Sequence, residues 1–152
     1  MKRLLTILCM LVWGCVASLA QSTVTPEPFV IDDIQIDVRE VAVRGDSAVV
    51  ELFLISYDKN PREFKLNTFG SGITDSQGTP YLYKSMQMGR IVVDVEHRQN
   101  YIHYLLEQDV PVSLRIVTPS WKKQWGKPKQ VKLSFEDSEE EGKFLEVIID
   151  LP

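Results

Sequence analysis

The chain has 152 residues, of which 21 are acidic and 17 are basic, and its formal net charge is −4. An acidic balance repels phosphate backbones, so the composition argues against nucleic-acid binding. Both cysteines, Cys9 and Cys15, lie near the N-terminus, within the leader described next. The rest of the chain therefore has no disulfide, no thiolate nucleophile and no cysteine-ligated zinc, and we expect no cofactor.

Residues 1–20 have the pattern of a cleaved export signal. Lys2 and Arg3 precede the apolar run Leu4–Trp13, and Ser18-Leu19-Ala20 supplies small residues at the cleavage position. The apolar run is shorter than the ~20 residues that cross a bilayer, so we predict a periplasmic or extracellular protein. Without the leader, 15 basic and 21 acidic residues remain, a formal charge of −6.

An alternative interpretation places the protein on a membrane. In Leu11-Val12-Trp13-Gly14-Cys15 a small residue precedes a cysteine, as in bacterial lipoprotein signals. Lipidation of Cys15 would tether a mature chain that begins at that residue. The bulky Trp13 fits the lipoprotein pattern badly, so cleavage after Ala20 is the preferred interpretation.

Residues 21–28 are polar and carry two prolines, so they are predicted to form a linker ahead of a single domain, residues 29–152. The first predicted strand is half-buried and changes phase, which indicates a β-bulge near Arg39–Glu40. A short turn at Arg44–Ser47 leads into the next strand. The inward residues of the first strand are Ile34, Ile36 and Val38, followed in the opposite phase by Val41 and Val43.

Ser47–Ser56 is the densest apolar run after the leader, and we predict that it forms the central strand. Glu51 sets the phase of this strand, so Val50, Leu52 and Leu54 face the core. The residues on the opposite face of the strand are also mostly apolar, so we expect that face to be only partly exposed to water. A strand of this kind needs neighbours on both sides.

The later strands follow from the same alternation and from turn signals. The clearest turn is Asp75–Gly78, inside a predicted hairpin Ile73–Tyr83. About eight strands predict an all-β fold: a single antiparallel β-sandwich with immunoglobulin-like or related Greek-key topology. The other predicted strands are centred on Phe64 and Leu66, Ile91 to Val95, Tyr101 to Leu106, Val112 to Ile116, Val131 to Phe135, and Leu145 to Leu151.

The order of these elements resembles that of bacterial secreted immunoglobulin-like sandwiches of unknown function, similar to extracellular antigen-type domains. The chain departs from that pattern at Gly70 and Gly72 and in the long loop from Trp121 to Pro128. The resemblance implies a fold and an export address, and it transfers no catalytic residue. The matching pieces, within about residues 33 to 136, are Val50–Ser56, Phe64-Lys65-Leu66, Asp75-Ser76-Gln77-Gly78-Thr79-Pro80-Tyr81 and Val110-Pro111-Val112.

Few polar residues fall into a recognised catalytic or metal-binding pattern. His97 and His103 lack a zinc spacing, and no nucleophile elbow is present. The turns at Asp32-Asp33 and at Asp75 invite a calcium interpretation, but the full calcium loop is missing, so turn formation is preferred. We therefore predict no catalytic residue and no metal ligand, and we interpret Glu139–Glu141 as a solvated charge run.

One loop differs from this background, because Trp121, Lys122, Lys123, Trp125 and Lys127 combine the only two tryptophans after the leader with three lysines. Aromatic rings on a loop are typical of contacts with proteins or sugars. This cluster is our candidate binding loop. The alternative is that one or both indoles cap the open end of the sandwich.

We therefore predict an exported, non-enzymatic binding or interaction module whose partner is a protein or another envelope component, a glycan included. One alternative is a carbohydrate-binding accessory module, which an exposed and coplanar pair of Trp121 and Trp125 would favour. A small secreted hydrolase is the other alternative, and titratable groups converging in a pocket would favour it. A membrane is expected only if Cys15 is lipidated, and the oligomeric state is left open.

Overall fold

The structure is a computed structural model that describes residues 28–75 and 77–152. The predicted leader and residues 21–27 of the predicted linker lie outside the described residues. Two short 3-10 turns, Val95–His97 and Lys123–Trp125, accompany the strands. The described strands are β1 (Phe29–Ile31), β2 (Ile34–Arg44), β3 (Ser47–Ser56), β4 (Arg62–Asn67), β5 (Gly72–Ile73), β6 (Ser85–Met88), β7 (Ile91–Asp94), β8 (Tyr101–Leu106), β9 (Val112–Thr118), β10 (Gln130–Glu136) and β11 (Phe144–Asp150).

The strands form two antiparallel sheets, which confirms the predicted all-β sandwich. The first sheet has the strand order β1-β2-β3-β9-β6-β7, and the second has the order β11-β10-β4-β8. Strand β5 continues the line of β4 along β10, since Leu66 pairs with Phe135 and Ile73 pairs with Val131. The described residues hold eleven strands rather than about eight, because several are very short.

Both sheets supply one hydrophobic core. The rings of Phe64 and Phe135 meet at its centre, with their centroids 5.1 Å apart. Burying a side chain of this size stabilises the fold by ~1.5–3 kcal/mol, so the core holds the domain without a disulfide. Fully buried side chains come from the first sheet (Ile34, Leu52, Leu54, Met86 and Met88) and from the second sheet (Phe64, Leu66, Ile102, Leu106 and Phe135).

Strand β3 is the interior strand that the sequence predicts, with the predicted ends. It pairs with β2 on one side and with β9 on the other. Val50, Leu52 and Leu54 are fully buried, whereas Phe53 is half-buried on the opposite face, where the Arg39 guanidinium lies 4.6 Å from its ring centroid. The predicted phase of the strand is therefore confirmed.

The predicted bulge and turn around β2 are also confirmed. The register of β2 against β3 shifts between Val38 and Glu40, so the inward phase changes there. The strand then turns through Gly45, whose φ of +62° suits a two-residue hairpin turn. This turn is part of the end of the sandwich where the candidate binding loop lies.

The predicted hairpin Ile73–Tyr83 is shorter than its turn signals indicate. Its turn forms, because the Asp75 carboxylate accepts hydrogen bonds from the backbone N–H groups of Gln77 and Thr79, at 2.8 and 3.0 Å. The ladder is a single bridge at Pro80, since proline has no N–H with which to extend it. Strand β5 takes β10 as its partner instead.

Two strands were missed by the sequence analysis. Strand β1 has three residues, and β6 presents Met86 and Met88 to the core, a residue type with little β preference. The predicted strand from Ile91 ends at Asp94, and Val95 begins a 3-10 turn instead of extending it.

Candidate functional site

Two hydrogen bonds donated by Trp121 hold the candidate binding loop in place. The backbone N–H of Trp121 donates to the carbonyl of Asp46 at 2.7 Å, which ties the loop to the turn between β2 and β3. The indole Nε1–H of Trp121 donates to the carbonyl of Gly126 at 2.8 Å and closes the 3-10 turn between them. Gly126 has a φ of +67°, which lets the chain leave that turn sharply.

The two indoles of this loop have different environments. Trp121 is only 6% exposed and belongs to the hydrophobic core, so it caps the open end of the sandwich. Trp125 is 40% exposed and lies at the surface, in contact with the Trp121 ring. The capping alternative therefore describes Trp121, and the exposed ring available for binding is Trp125.

Tyr81 joins the two indoles into a three-ring cluster that the sequence analysis missed. Its ring stacks on Trp125 with centroids 5.5 Å apart and planes inclined by 20°. It meets Trp121 edge-on, at 5.6 Å and 81°. The indole planes of Trp121 and Trp125 cross at 84°, so the two rings are not coplanar.

The lysines of the loop remain on the surface. Lys122, Lys123 and Lys127 are exposed, and the Lys122 ammonium lies 5.4 Å from the centroid of the Trp125 ring. Lys129, which was not singled out from the sequence, is exposed beside them. None of the four lysines forms an ion pair with a carboxylate among the described residues, so their charges face solvent.

A cavity of about 330 Å³ opens beside the three rings. The Thr74 side chain lines it and is 5% exposed, and its hydroxyl has no hydrogen-bond partner in the described part of the chain. The Asp75 carboxylate also lines the cavity, although its Oδ1 atom already accepts two backbone hydrogen bonds of the adjacent turn. The full lining is Thr74, Asp75, Tyr81, Trp121, Trp125, Lys127, Lys129 and Gln130.

The other residues considered from the sequence lie apart from this cavity. His97 belongs to an exposed 3-10 turn, and His103 pairs with the exposed Glu63. Asp32 forms a buried ion pair with Arg62 at 2.7 Å, so its carboxylate serves the fold. Within residues 28–75 and 77–152, no group of three or more His, Cys, Asp or Glu side chains could hold a metal ion.

A second cavity, of about 610 Å³, lies between β2 and the end of β11. Its walls combine the inward residues Ile36, Ile149 and Leu151 with Asp37 and Arg39. Charges of both signs line this cavity, as they line the first, but its one aromatic lining residue is Phe29, whereas three aromatic rings line the first. We therefore place the candidate site at the aromatic cavity instead.

The antiparallel strands deliver their loops to two opposite ends of the sandwich, and one of these ends is strongly acidic. It consists of loops 32–33, 57–61, 89–90, 107–111 and 137–143, which we call the acidic end. Nine acidic and three basic residues give these loops a formal side-chain charge of −6. They are Asp32, Asp33, Asp58, Glu107, Asp109, Asp137, Glu139, Glu140 and Glu141, against Lys59, Arg90 and Lys143.

The opposite end carries the candidate binding loop and is positively charged. It consists of segments 45–46, 74–84, 95–100 and 119–129, which we call the basic end. Six basic and three acidic residues give it a formal side-chain charge of +3, with histidine neutral. They are Lys84, Arg98, Lys122, Lys123, Lys127 and Lys129, against Asp46, Asp75 and Glu96.

The loop between β10 and β11 at the acidic end is internally ordered. Hydrogen bonds from the backbone N–H of Gly142 and from Lys65 lower the pKa of Glu136 below its ordinary value of 4.5. The backbone N–H of Glu139 and the ammonium of Lys143 lower the pKa of Asp137 below 3.8. These contacts present the intervening glutamates on a preformed loop.

Comparisons with protein families, with curated proteins and with solved structures find no match to this chain. The resemblance to secreted immunoglobulin-like sandwiches therefore stays a prediction. No helix in the described part of the chain is long and apolar enough to span a membrane. The chemistry of the site is consequently argued from its own residues.

Proposed function

We propose that this protein is an exported, non-enzymatic binding module of the cell envelope that contacts an acidic protein partner through its basic end. The observation that carries the proposal is the cavity of about 330 Å³ in which the exposed ring of Trp125 lies beside Lys127 and Lys129. The predicted export signal and the resemblance to secreted immunoglobulin-like sandwiches supply the proposed setting.

Two physical features support binding at this end. Trp125 and Tyr81 offer a large apolar contact area at low entropic cost, and rings of this kind are enriched among residues that dominate interfaces. The hydrogen bonds of Trp121 hold the loop in place before any partner arrives, which reduces the ordering cost of association. The lysines, which lack internal ion pairs, then favour a partner of negative charge.

The alternative functions receive less support from the geometry. A carbohydrate-binding module typically needs a flat ring platform, whereas the indole planes of Trp121 and Trp125 cross at 84°. A hydrolase needs a nucleophile with a base, whereas Asp75 is the one carboxylate of the cavity and no histidine lines it. A binding role without catalysis therefore remains our proposal.

The test is a pull-down from extracts of the native host with the mature protein as bait. Trp125→Ala removes the exposed ring, and the triple variant Lys122→Glu/Lys123→Glu/Lys127→Glu reverses the local charge. Arg90→Glu is the matched control, because Arg90 is exposed on the turn between β6 and β7, at the end of the sandwich opposite the binding loop. A glycan array probed with the same proteins tests the carbohydrate alternative.

We expect a captured protein that is retained by Arg90→Glu and lost with both basic-end variants. Its capture should weaken between about 0.1 M and about 1 M salt, because the Debye length falls from roughly 10 Å to roughly 3 Å. Retention of every captured protein by folded basic-end variants would contradict the proposal. Binding confined to neutral glycans would favour the carbohydrate alternative.

A further inference from the structure

We infer that an acidic partner suited to the basic end is a second copy of this chain, whose acidic end docks there in a head-to-tail arrangement. The inference rests on the proposed function only for the assignment of the binding end. Its own basis is the separation of charge, with a formal side-chain charge of −6 on the loops of one end and +3 on those of the other.

The charged groups that would meet are available on both surfaces. Glu139 and Glu141 are exposed, and neither forms an ion pair with a described residue. The lysines of the basic end are equally without ion pairs in the described part of the chain.

Each end also exposes apolar side chains beside its charges. Tyr57 is 43% exposed and Val110 is 45% exposed at the acidic end. At the basic end Leu82 is 59% exposed and Trp125 is 40% exposed. A contact between the two ends would therefore pair apolar area with apolar area inside a rim of opposite charges, which is the usual anatomy of an interface.

The acidic loop is prepared for such a contact. The Asp137 carboxylate accepts a hydrogen bond from the backbone N–H of Glu139 at 2.9 Å, and Lys143 bridges Asp137 and Glu140 at 3.2 and 3.0 Å. The Glu136 carboxylate holds the backbone N–H of Gly142 at 2.8 Å. Because the loop is already folded back on itself, docking orders little additional chain.

The position of the two ends sets the symmetry of the association. A two-fold contact made end to end would place two acidic ends together or two basic ends together, and like charges oppose both arrangements. Contact between unlike ends uses different surfaces on the two copies, so it does not close at a dimer. We therefore expect average mass to rise steadily with concentration and to fall with added salt.

The experiment is sedimentation of the purified mature protein, alone and as mixed variants. The basic-end variant is Lys122→Gln/Lys123→Gln/Lys127→Gln, and the acidic-end variant is Glu139→Lys/Glu141→Lys. Each variant keeps one native end, so each should lose self-association when alone. An equal mixture should form a 1:1 complex that grows no further, because only one pair of native ends remains.

Restoration in the mixture shows that both variants are folded, and circular dichroism of each variant is the second check. A wild-type protein that stays monomeric at about 0.01 M salt, where screening is weakest, would overturn the inference. A wild-type association that closes at two copies, or that both variants retain, would overturn it as well. If self-association fails while a host protein is still captured through Trp125, the proposed function stands and only this inference falls.

Discussion

Truncating the two tryptophans of the binding loop should lower the free energy of unfolding by different amounts, because one belongs to the core and the other to the surface. Trp121→Ala removes a side chain that is 6% exposed and contacts both Tyr81 and Trp125. Truncating a buried aromatic residue costs about 3–5 kcal/mol, and the lost hydrogen bond to Gly126 adds ~1 kcal/mol. Trp125→Ala removes a ring that is 40% exposed, so we expect only the loss of its aromatic contacts with Tyr81 and Trp121, about 0.5–1.5 kcal/mol each.

The assay is urea unfolding of the mature protein followed by circular dichroism, since both variants remove part of the fluorescence signal. Trp121→Phe is the matched control, and it should recover much of the packing while lacking the Nε1–H donor. The free energy of unfolding should therefore rank wild type, Trp125→Ala, Trp121→Phe and Trp121→Ala in descending order. If Trp125→Ala were as destabilising as Trp121→Ala, the division between a capping ring and a binding ring would be wrong.

Four further predictions concern the fold and its maturation. Leu52→Ala should lower the free energy of unfolding in urea by about 2–5 kcal/mol, whereas Glu51→Ala should change it far less, and reversal of that order would contradict the phase of β3. Asp32→Asn should lower the free energy of unfolding by about 3–5 kcal/mol in the same assay, because it leaves the Arg62 guanidinium buried without its counter-ion. An unchanged free energy of unfolding would contradict a stabilising role for the Asp32–Arg62 ion pair. Because the pKa values of Glu136 and Asp137 are lowered in the folded protein, their carboxylates stabilise the fold at pH values above their ordinary pKa values of 4.5 and 3.8. The free energy of unfolding, measured as a function of pH, should therefore fall as the pH drops through the lowered pKa values. Mass spectrometry of protein from the native host should find Gln21 at the N-terminus, and a lipidated Cys15 would contradict cleavage after Ala20.

The fold was predictable where a long apolar run or a regular alternation of side chains marks a strand. Ser47–Ser56 is an apolar run in which Glu51 marks the less buried face, so both its bounds and its buried face were predicted correctly. The flanking residues of β2 alternate regularly, so the change of phase at Arg39–Glu40 indicated its bulge. Strand β6 has four residues and two methionines, and its strand character depends on pairing with β9 rather than on local preference.

The candidate site was predictable only as far as it is contiguous in the chain. The loop from Trp121 to Lys127 combines rings and charges within seven residues, so composition alone indicated it. Tyr81 and Thr74 reach the same cavity from the segment around the shortened hairpin, and no spacing rule connects that segment to the loop. The different exposure of Trp121 and Trp125 also depends on packing against Tyr81, which the sequence does not display.

The charge at each end depends in part on one topological detail, the stretch from Phe69 to Gly72. In an antiparallel sandwich successive loops alternate between the ends, so a single extra reversal exchanges the ends of every later loop. Strands β4 and β5 lie along the same side of β10, so the glycines interrupt a strand without reversing it, and loops 32–33 and 57–61 join the acidic end. These two loops add a formal side-chain charge of only −2, whereas loops 107–111 and 137–143 supply −5. The separation of charge therefore comes mainly from the later loops, and the topology of this stretch decides only where the first two acidic loops lie.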